Sequence, residues 1–520
     1  AGPRATAGAV LVPPLGYEYW TSYGLLRDLA WRLAERGVQT IRFDHEGTGD
    51  SGGDQWAAGL EGAWRRGLRA AVAALRDEGC HKVMLVGLRY GATLALQEAA
   101  GLGADAVAAL APVVSGKRYV RELAMLGTRV PADDPRSVAR EVLISGGVPF
   151  PDELVEALRG IDLLSLDDVP PRVLLVADSA GGRLADQLRS RGADVVLHPA
   201  QELARVLEVT TEKAVVPQEL VQEVADRLAS IAEAGPPVPG PRRATQDGPA
   251  AEHRWRGGSL VERAVVLGDQ QLIGVLGEPK GAHSSDQVVV FLNTGAEHHV
   301  GPGRAWVEYA RALNLTGTCT LRLDFRGWGE SVLQDSPPGR PYAASAVTDV
   351  GLACEALRAR GFSRVVVVGL CSSAWIALRA ATQVPIEGVY ALNPQLYWQP
   401  GDPDDFTVLE AEVWRRDVTR REERLARTGL WTLLDVLGVQ NAPGRWLSRL
   451  AAGAGRSRLV FAEGDLGHTY LRQRLAHRLR LVTGGERVSV QVIPGVDHQM
   501  HKEWLRPAVL RDLQDWLGAA

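Results

Sequence analysis

A chain of 520 residues with a formal net charge of −4 is too long for one ordinary core, and it carries no basic excess to draw it to nucleic acid or an anionic membrane. With 46% hydrophobic and 23% charged residues it has a globular composition, and roughly 200–250 residues per α/β domain predicts two domains. The four cysteines, Cys80, Cys319, Cys354 and Cys371, form no CxxC pair and have no histidine at ligand spacing, which speaks against a zinc knuckle or a disulfide framework; no cofactor or metal is implied.

In chain order, a buried-strand run AVLVPP (9–14) precedes a helical stretch around 22–36. The strand QTIRFD (39–44) runs into the Gly-rich turn HEGTGDSGG, and a long helix leads to KVMLVGLRYGA (82–92). The same order returns later: QVVVFLNTG (287–295), a helix around 303–313, TCTLRLD (318–324) into FRGWGES, a helix around 344–360 and RVVVVGLCSSA (364–374). The offsets between equivalent residues are 280 for Asp44 and Asp324, 282 for Gly87 and Gly369, and 287 for Asp178 and Asp465. A register held that closely marks an internal repeat. Short β-branched strands alternating with longer helices predict the α/β class, with a mostly parallel sheet covered on both faces. Residues 1–233 form the first copy, the Pro/Gly-rich stretch 234–250 reads as a connector, and 251–520 form the second copy. The second copy opens with two extra strand-like runs, 259–268 and 271–279, for which the first has no counterpart.

Each copy contains a strand and a helix joined by a tight turn of the form G-x-Nu-x-small, the geometry that holds a nucleophile at the tip of a bend. In the second copy the tip is Cys371, in Gly369-Leu370-Cys371-Ser372-Ser373-Ala374; in the first it is Arg89, in Gly87-Leu88-Arg89-Tyr90-Gly91-Ala92. A guanidinium stays protonated and cannot attack a carbonyl, so the first elbow is degenerate. An acid and a base follow Cys371 in the required order. Asp465 ends SRLVFAEGD (457–465), with Glu463 as the substitute, and His498 follows the last strand VSVQVIPG (488–495), with His501 as the substitute. In the first copy Asp178 keeps the acid position, but no histidine follows the last strand, and His198 lies within that strand. Arg89 there either holds a carboxylate or phosphate ligand or makes a structural salt bridge to Asp178 or a neighbour.

The expected chemistry is nucleophilic. His498 takes the proton of Cys371, and Asp465 orients the imidazole. Backbone N–H groups of Ser372 and of the loop carrying Gly295 and Ala296 form the oxyanion hole. Glu297, His298 and His299 continue that loop and line the pocket or simply decorate its surface. About 60 residues separate Asn393-Pro394 from the strand at 457, room for a helical cap at about 395–455. Within it Tyr397, Trp398 and Trp414 either wall an acyl pocket or pack the cap, and Arg416, Arg420 and Arg424 share a helical face. That face either meets coenzyme A or an acidic carrier protein, or is solvated.

These motifs resemble two α/β-hydrolase types that accompany bacterial exosortase systems. VPPLGYE, FDHEGTGDSGG and VGLRYGATLALQEAA resemble type 2, which carries the arginine elbow; LDFRGWGES, VGLCSSAWIAL and ALNPQLYWQPGD resemble type 1, which carries the cysteine elbow. A cysteine at this position is also similar to that of polyhydroxyalkanoate synthases and dienelactone hydrolases. The resemblance implies two tandem α/β-hydrolase domains, each with a helical cap, of which only the second is catalytic. It implies hydrolase-like acyl chemistry and names no substrate; the expected function is acyl transfer or thioesterase-like chemistry through a Cys371 thioester, on a small-molecule ester or thioester, in polysaccharide or specialised-metabolite assembly. An esterase or lactone hydrolase and a non-catalytic scaffold are the alternatives. No membrane span of about 18 apolar residues is expected, and the first residues lack the design of a signal peptide, so the expected location is cytoplasmic.

Overall fold

A computed structural model describes residues 6–131, 141–178, 181–233, 246–268, 272–281, 286–332, 339–396, 437, 442–500, 502 and 505–518. The chain divides into two compact units, Ala1–Arg243 and Ala244–Ala520.

The first unit contains β1 (Ala7–Val12), β2 (Gln39–Arg42), β3 (Lys82–Leu88), β4 (Ala106–Leu110), β5 (Gly127–Pro131), β6 (Glu141–Ser145), β7 (Val148–Phe150), β8 (Arg172–Ala177) and β9 (Asp194–Pro199). Six of these form a sheet in the order β2-β1-β3-β4-β8-β9, with every pairing parallel. The sheet is buried on both sides because successive side chains of a strand point to opposite faces. Val10, Val12, Val83 and Leu85 enter one core, whereas Ala9, Leu11, Met84, Val86 and Leu88 enter the other. That is why these strands read as continuous apolar runs.

The insertion between β4 and β8 departs from the expected helical cap. It holds a three-stranded antiparallel sheet, β5-β6-β7, beside the helices Gly116–Leu126 and Asp152–Arg159. The run EVLISGGVPF carries two positive-φ glycines, Gly146 and Gly147, between two short apolar stretches, which is hairpin chemistry.

The second unit contains β10 (Ala251–Trp255), β11 (Gly258–Leu267), β12 (Leu272–Pro279), β13 (Gln287–Phe291), β14 (Cys319–Leu323), β15 (Arg364–Leu370), β16 (Gly388–Leu392), β17 (Arg456–Ala462) and β18 (Val488–Ile493). They form one sheet in the order β10-β11-β12-β14-β13-β15-β16-β17-β18. Its last six strands repeat the parallel order of the first unit. The leading hairpin is antiparallel and joins β14 through β12. It is pinned electrostatically: buried Glu262 on β11 takes Arg322 of β14 at 2.8 Å and Arg311 of the helix Ala305–Leu315 at 2.7 Å. A carboxylate removed from water is tolerable only with such partners.

The connector ends sooner than expected. Asp247 already binds Arg360 at 2.7 Å and the Gly248 N–H donates to the Ala264 carbonyl, so 247–250 pack with the second unit. Of the expected cap, the helix Ala442–Ala452 is described, whereas Trp414 and the Arg416–Arg424 face lie outside the described residues. Among the described residues no helix is long and apolar enough to cross a membrane, and no group of three or more His, Cys, Asp or Glu could hold a metal ion.

Candidate active site

The bend after β15 puts Cys371 at φ 55° and ψ −110°, directly before the helix Ser372–Ala380. A non-glycine residue there costs on the order of 1–3 kcal/mol and must be held by its surroundings. The holding bonds are visible. The Cys371 N–H donates to Leu392 O at 2.9 Å, Trp375 N–H donates to Cys371 O at 3.2 Å, and Ser373 Oγ accepts from Leu370 N–H at 2.9 Å. A Cβ on Gly369 would stand 2.4 Å from Ser373 O, which explains the glycine two residues before the tip.

Asp465 follows β17 and His498 follows β18, two loops that the parallel sheet brings to the same end as the elbow. His498 Nδ1 lies 2.6 Å from Asp465 Oδ2, and the other carboxylate oxygen accepts the Gly467 N–H at 2.7 Å. Asp465 is buried, whereas Glu463 is exposed, so the aspartate is the partner. Asn393, at φ 43°, braces the loop by donating to His498 O at 2.9 Å and accepting from the Ala462 N–H at 2.7 Å. Burial alone would depress the His498 pKa. The charge of Cys371, the hydrogen bond and charge of Asp465, and a hydrogen bond donated by the protonated ring towards the Cys371 sulfur outweigh it and raise the pKa to about 10. Nδ1 being taken by Asp465, Nε2 is left for the sulfur, and that contact is looser than a well-aligned hydrogen bond, as is common before substrate arrives.

One residue at the thiol was missed by the sequence reading. Tyr342, at φ 63° and buried, brings its hydroxyl to 3.7 Å from Cys371 Sγ, and its ring meets Trp375 edge-on at 5.7 Å. Tyr342 lies on a turn outside every periodic segment, so only the unusual setting PPGRPY before a helix hinted at a rigid approach.

The loop after β13 differs in detail from expectation. The Gly295 N–H donates to Ser372 Oγ at 3.0 Å and so is not directed at the thiol. Ser372 N–H, in the first turn of its helix, has no intrahelical acceptor, and Ala296 is the neighbouring loop amide. His299 does not line an open pocket. Its Nδ1 lies 2.6 Å from buried Asp324 Oδ2, and that carboxylate also accepts from His299 N–H at 2.8 Å, Asn293 Nδ2 at 2.9 Å and Glu330 N–H at 2.9 Å. Burial pushes the Asp324 pKa up, but His299, its hydrogen bonds and the charge of His298 bring it down to about 2. His298 is itself buried against His299, ring centres 5.3 Å apart. Glu297 is half-buried, its backbone closing the turn to Thr294 O at 2.9 Å. Tyr397, Trp398 and His501 lie outside the described residues.

The first elbow has the same backbone and different chemistry. Arg89 sits at φ 52° and ψ −117°, its N–H donates to Leu110 O at 2.9 Å, and its carbonyl accepts from Thr93 N–H at 3.1 Å. Its salt bridges go to Glu18 at 2.6 Å and Glu122 at 2.8 Å, not to Asp178. His198 pairs with Glu223 at 2.7 Å.

Among solved structures the chain is similar to a dienelactone hydrolase from Anabaena variabilis ATCC 29413, with 15% identity, 52% of this chain and 98% of that one covered, and a TM-score of 0.33. It is also similar to Est1E from Butyrivibrio proteoclasticus (13% identity, 52% and 99% covered, TM-score 0.31) and to the esterase Pf2001 from Pyrococcus furiosus (16% identity, 52% and 98% covered, TM-score 0.32). Comparison with curated proteins finds no match. Residues 289–513, which span the sheet from β13 onward and all three residues Cys371, Asp465 and His498, match the alpha/beta hydrolase family.

Proposed function

We propose that the second unit is an acyl-handling enzyme that works through a thioester on Cys371, with His498 as base and acid and Asp465 as its orienting carboxylate. The observation that carries this reading is the 2.6 Å His498–Asp465 contact on the imidazole that couples to the strained cysteine. On this reading an imidazolium at His498, held by Asp465, stabilises the thiolate of Cys371, the reactive form of the nucleophile.

In the first step the thiolate attacks the acyl carbon, a C–S bond forms, and the bond to the alcohol or thiol leaving group breaks. The imidazolium proton passes to that leaving group. The developing oxyanion is met by Ser372 N–H and, on this reading, Ala296 N–H. In the second step neutral His498 takes a proton from the acceptor, the acceptor oxygen or nitrogen attacks the thioester carbon, and the cysteine is released. An activated acyl group, as an ester or as a thioester of coenzyme A or a carrier protein, is the substrate class. The cysteine and arginine elbows, similar to those of exosortase-associated hydrolases, favour transfer during polysaccharide or specialised-metabolite assembly. The first unit, without nucleophile or base, is non-catalytic.

The test is trapping. Incubation with p-nitrophenyl butyrate and with butyryl-coenzyme A should add a butyryl mass to the peptide containing Cys371, and Cys371→Ala should abolish the adduct. An adduct that survives this substitution, or none in the wild type with either donor, overturns the reading. Rapid release of free butyrate without added acceptor would make the enzyme a hydrolase, not a transferase.

A further inference from the structure

The cavity at the first elbow is absorbed by none of this chemistry. It has a volume of about 1190 Å³ and lies within the first unit, with Glu18, Arg89, Tyr119 and Glu122 in its wall. Arg89 occupies the tip of the bend, where a nucleophile would face a substrate, and one side of its fork is permanently built. Glu18 receives Arg89 Nε at 2.6 Å, Tyr119 donates to the other Glu18 oxygen at 3.3 Å, and the guanidinium lies over the Tyr119 ring at 5.3 Å. Glu18 and Arg89 side chains are 19% and 20% exposed.

The other side is held more loosely. Arg89 Nη2 donates to Glu122 Oε2 at 2.8 Å. Glu122 is 39% exposed and has a second cation, Arg118, at 3.0 Å, so it can leave Arg89 without becoming unpaired. Its carboxylate occupies the guanidinium in the way a ligand carboxylate would.

Charge and polarity select the ligand. The cavity wall holds five cations (Arg89, Lys117, Arg118, Arg159, Arg183) and five carboxylates (Glu18, Glu122, Asp162, Asp178, Glu208), so no cationic excess awaits a phosphate dianion, whereas one monoanion can replace another at Arg89. Beyond that group the wall is apolar through Leu15, Val113, Leu123 and Leu126. Leu126 is 80% exposed and the adjacent Met125 is 86% exposed, an apolar surface left in water at the end of the same helix that carries Glu122.

We infer that the first unit is a binding domain for monoanionic carboxylates with an apolar tail, whose head group takes the place of Glu122 on Arg89. The inference is independent of the chemistry at Cys371, since every residue it uses belongs to the other unit.

Titration calorimetry of the full chain with octanoate tests it. Saturable binding is expected. Glu122→Gln removes the competing charge and should tighten binding by about tenfold, whereas Arg89→Gln should weaken it by about tenfold to a hundredfold. Octanol and inorganic phosphate should each bind at least about tenfold more weakly than octanoate. A misfolded elbow would also lose affinity, so the gain in Glu122→Gln is the deciding measurement and also locates the ligand beside that helix. The inference is overturned if octanoate does not bind, if Glu122→Gln leaves its affinity unchanged or lower, if Arg89→Gln binds as wild type does, or if octanol or phosphate equals octanoate.

Discussion

The two elbows share one backbone and carry different chemistry at the tip. Arg89 and Cys371 both adopt a positive φ, both donate to the end of the next parallel strand (Leu110 and Leu392) and both accept from the helix four residues on (Thr93 and Trp375). What differs is what stands opposite the tip. Arg89 is met by two glutamates; Cys371 is met by an imidazole whose far side is fixed by Asp465. The strain of the bend is therefore a property of the fold, and the chemistry is set by loops that the fold leaves free to vary.

A second pair makes the same point inside the sheets. Asp44 and Asp324 follow equivalent strands, and in both units a positive-φ glycine, Gly49 or Gly329, lies so near the carboxylate that a Cβ would come to 2.1 Å from it. In the first unit the partners are the Tyr19 hydroxyl and the Asp50 N–H, both at 2.8 Å, and burial raises the Asp44 pKa. In the second unit His299 takes one carboxylate oxygen at 2.6 Å, and the Asp324 pKa falls. The same tight turn thus holds its aspartate with a hydroxyl and an amide in one copy and with a histidine in the other.

The sharpest way to break the comparison of elbows is to exchange their tips. Cys371→Ala should lower acyl turnover by about 10⁴-fold or more, in line with the loss of a nucleophile from a concerted triad. Arg89→Cys should gain none of it, because no histidine follows the last strand of the first unit in the place His498 takes in the second; a butyryl adduct at residue 89 with catalytic turnover would show that the bend alone suffices. The hubs differ less. Asp324→Asn should cost about 3–5 kcal/mol, since it strands a buried partner, whereas Asp44→Asn should cost less, about 1–2 kcal/mol, because its partners are a hydroxyl and a backbone N–H. Denaturant unfolding followed separately for each unit by hydrogen exchange reads both values, and equal losses would erase the distinction.

Proton binding sharpens the comparison next. The folded His498 pKa of about 10 exceeds the ordinary value near 6.5. The protonated imidazole, held by its partners, therefore contributes stability that is complete below about pH 6.5 and is lost as pH rises through about 10. Nitrogen chemical shifts of the imidazole should report a charged ring at pH 8, and Cys371→Ser, which removes the thiolate, should return its pKa toward the ordinary range. An unchanged pKa would assign the shift to Asp465 alone. The smallest effect is expected from Tyr342→Phe. Loss of a hydroxyl 3.7 Å from the sulfur should slow acylation by about three- to tenfold, with the fold intact by circular dichroism.

Much of this was determined by the sequence itself. Alternating strands and helices, the two Gly-x-tip-x-small bends, the near-constant offset between copies and the chain order Cys371, Asp465, His498 are local or periodic signals, and the parallel sheets that follow from them bring the loop ends together. Other features needed the tertiary structure. The choice of Glu18 and Glu122 over Asp178 for Arg89, the Tyr342 hydroxyl beside the thiol, the diversion of Gly295 N–H to Ser372 and the burial of His298 and His299 around Asp324 join residues across loops with no periodicity. Their pairing is decided by which side chains the packed sheet edges bring within about 3 Å, a distance at which hydrogen bonds form and small shifts of backbone choose among partners.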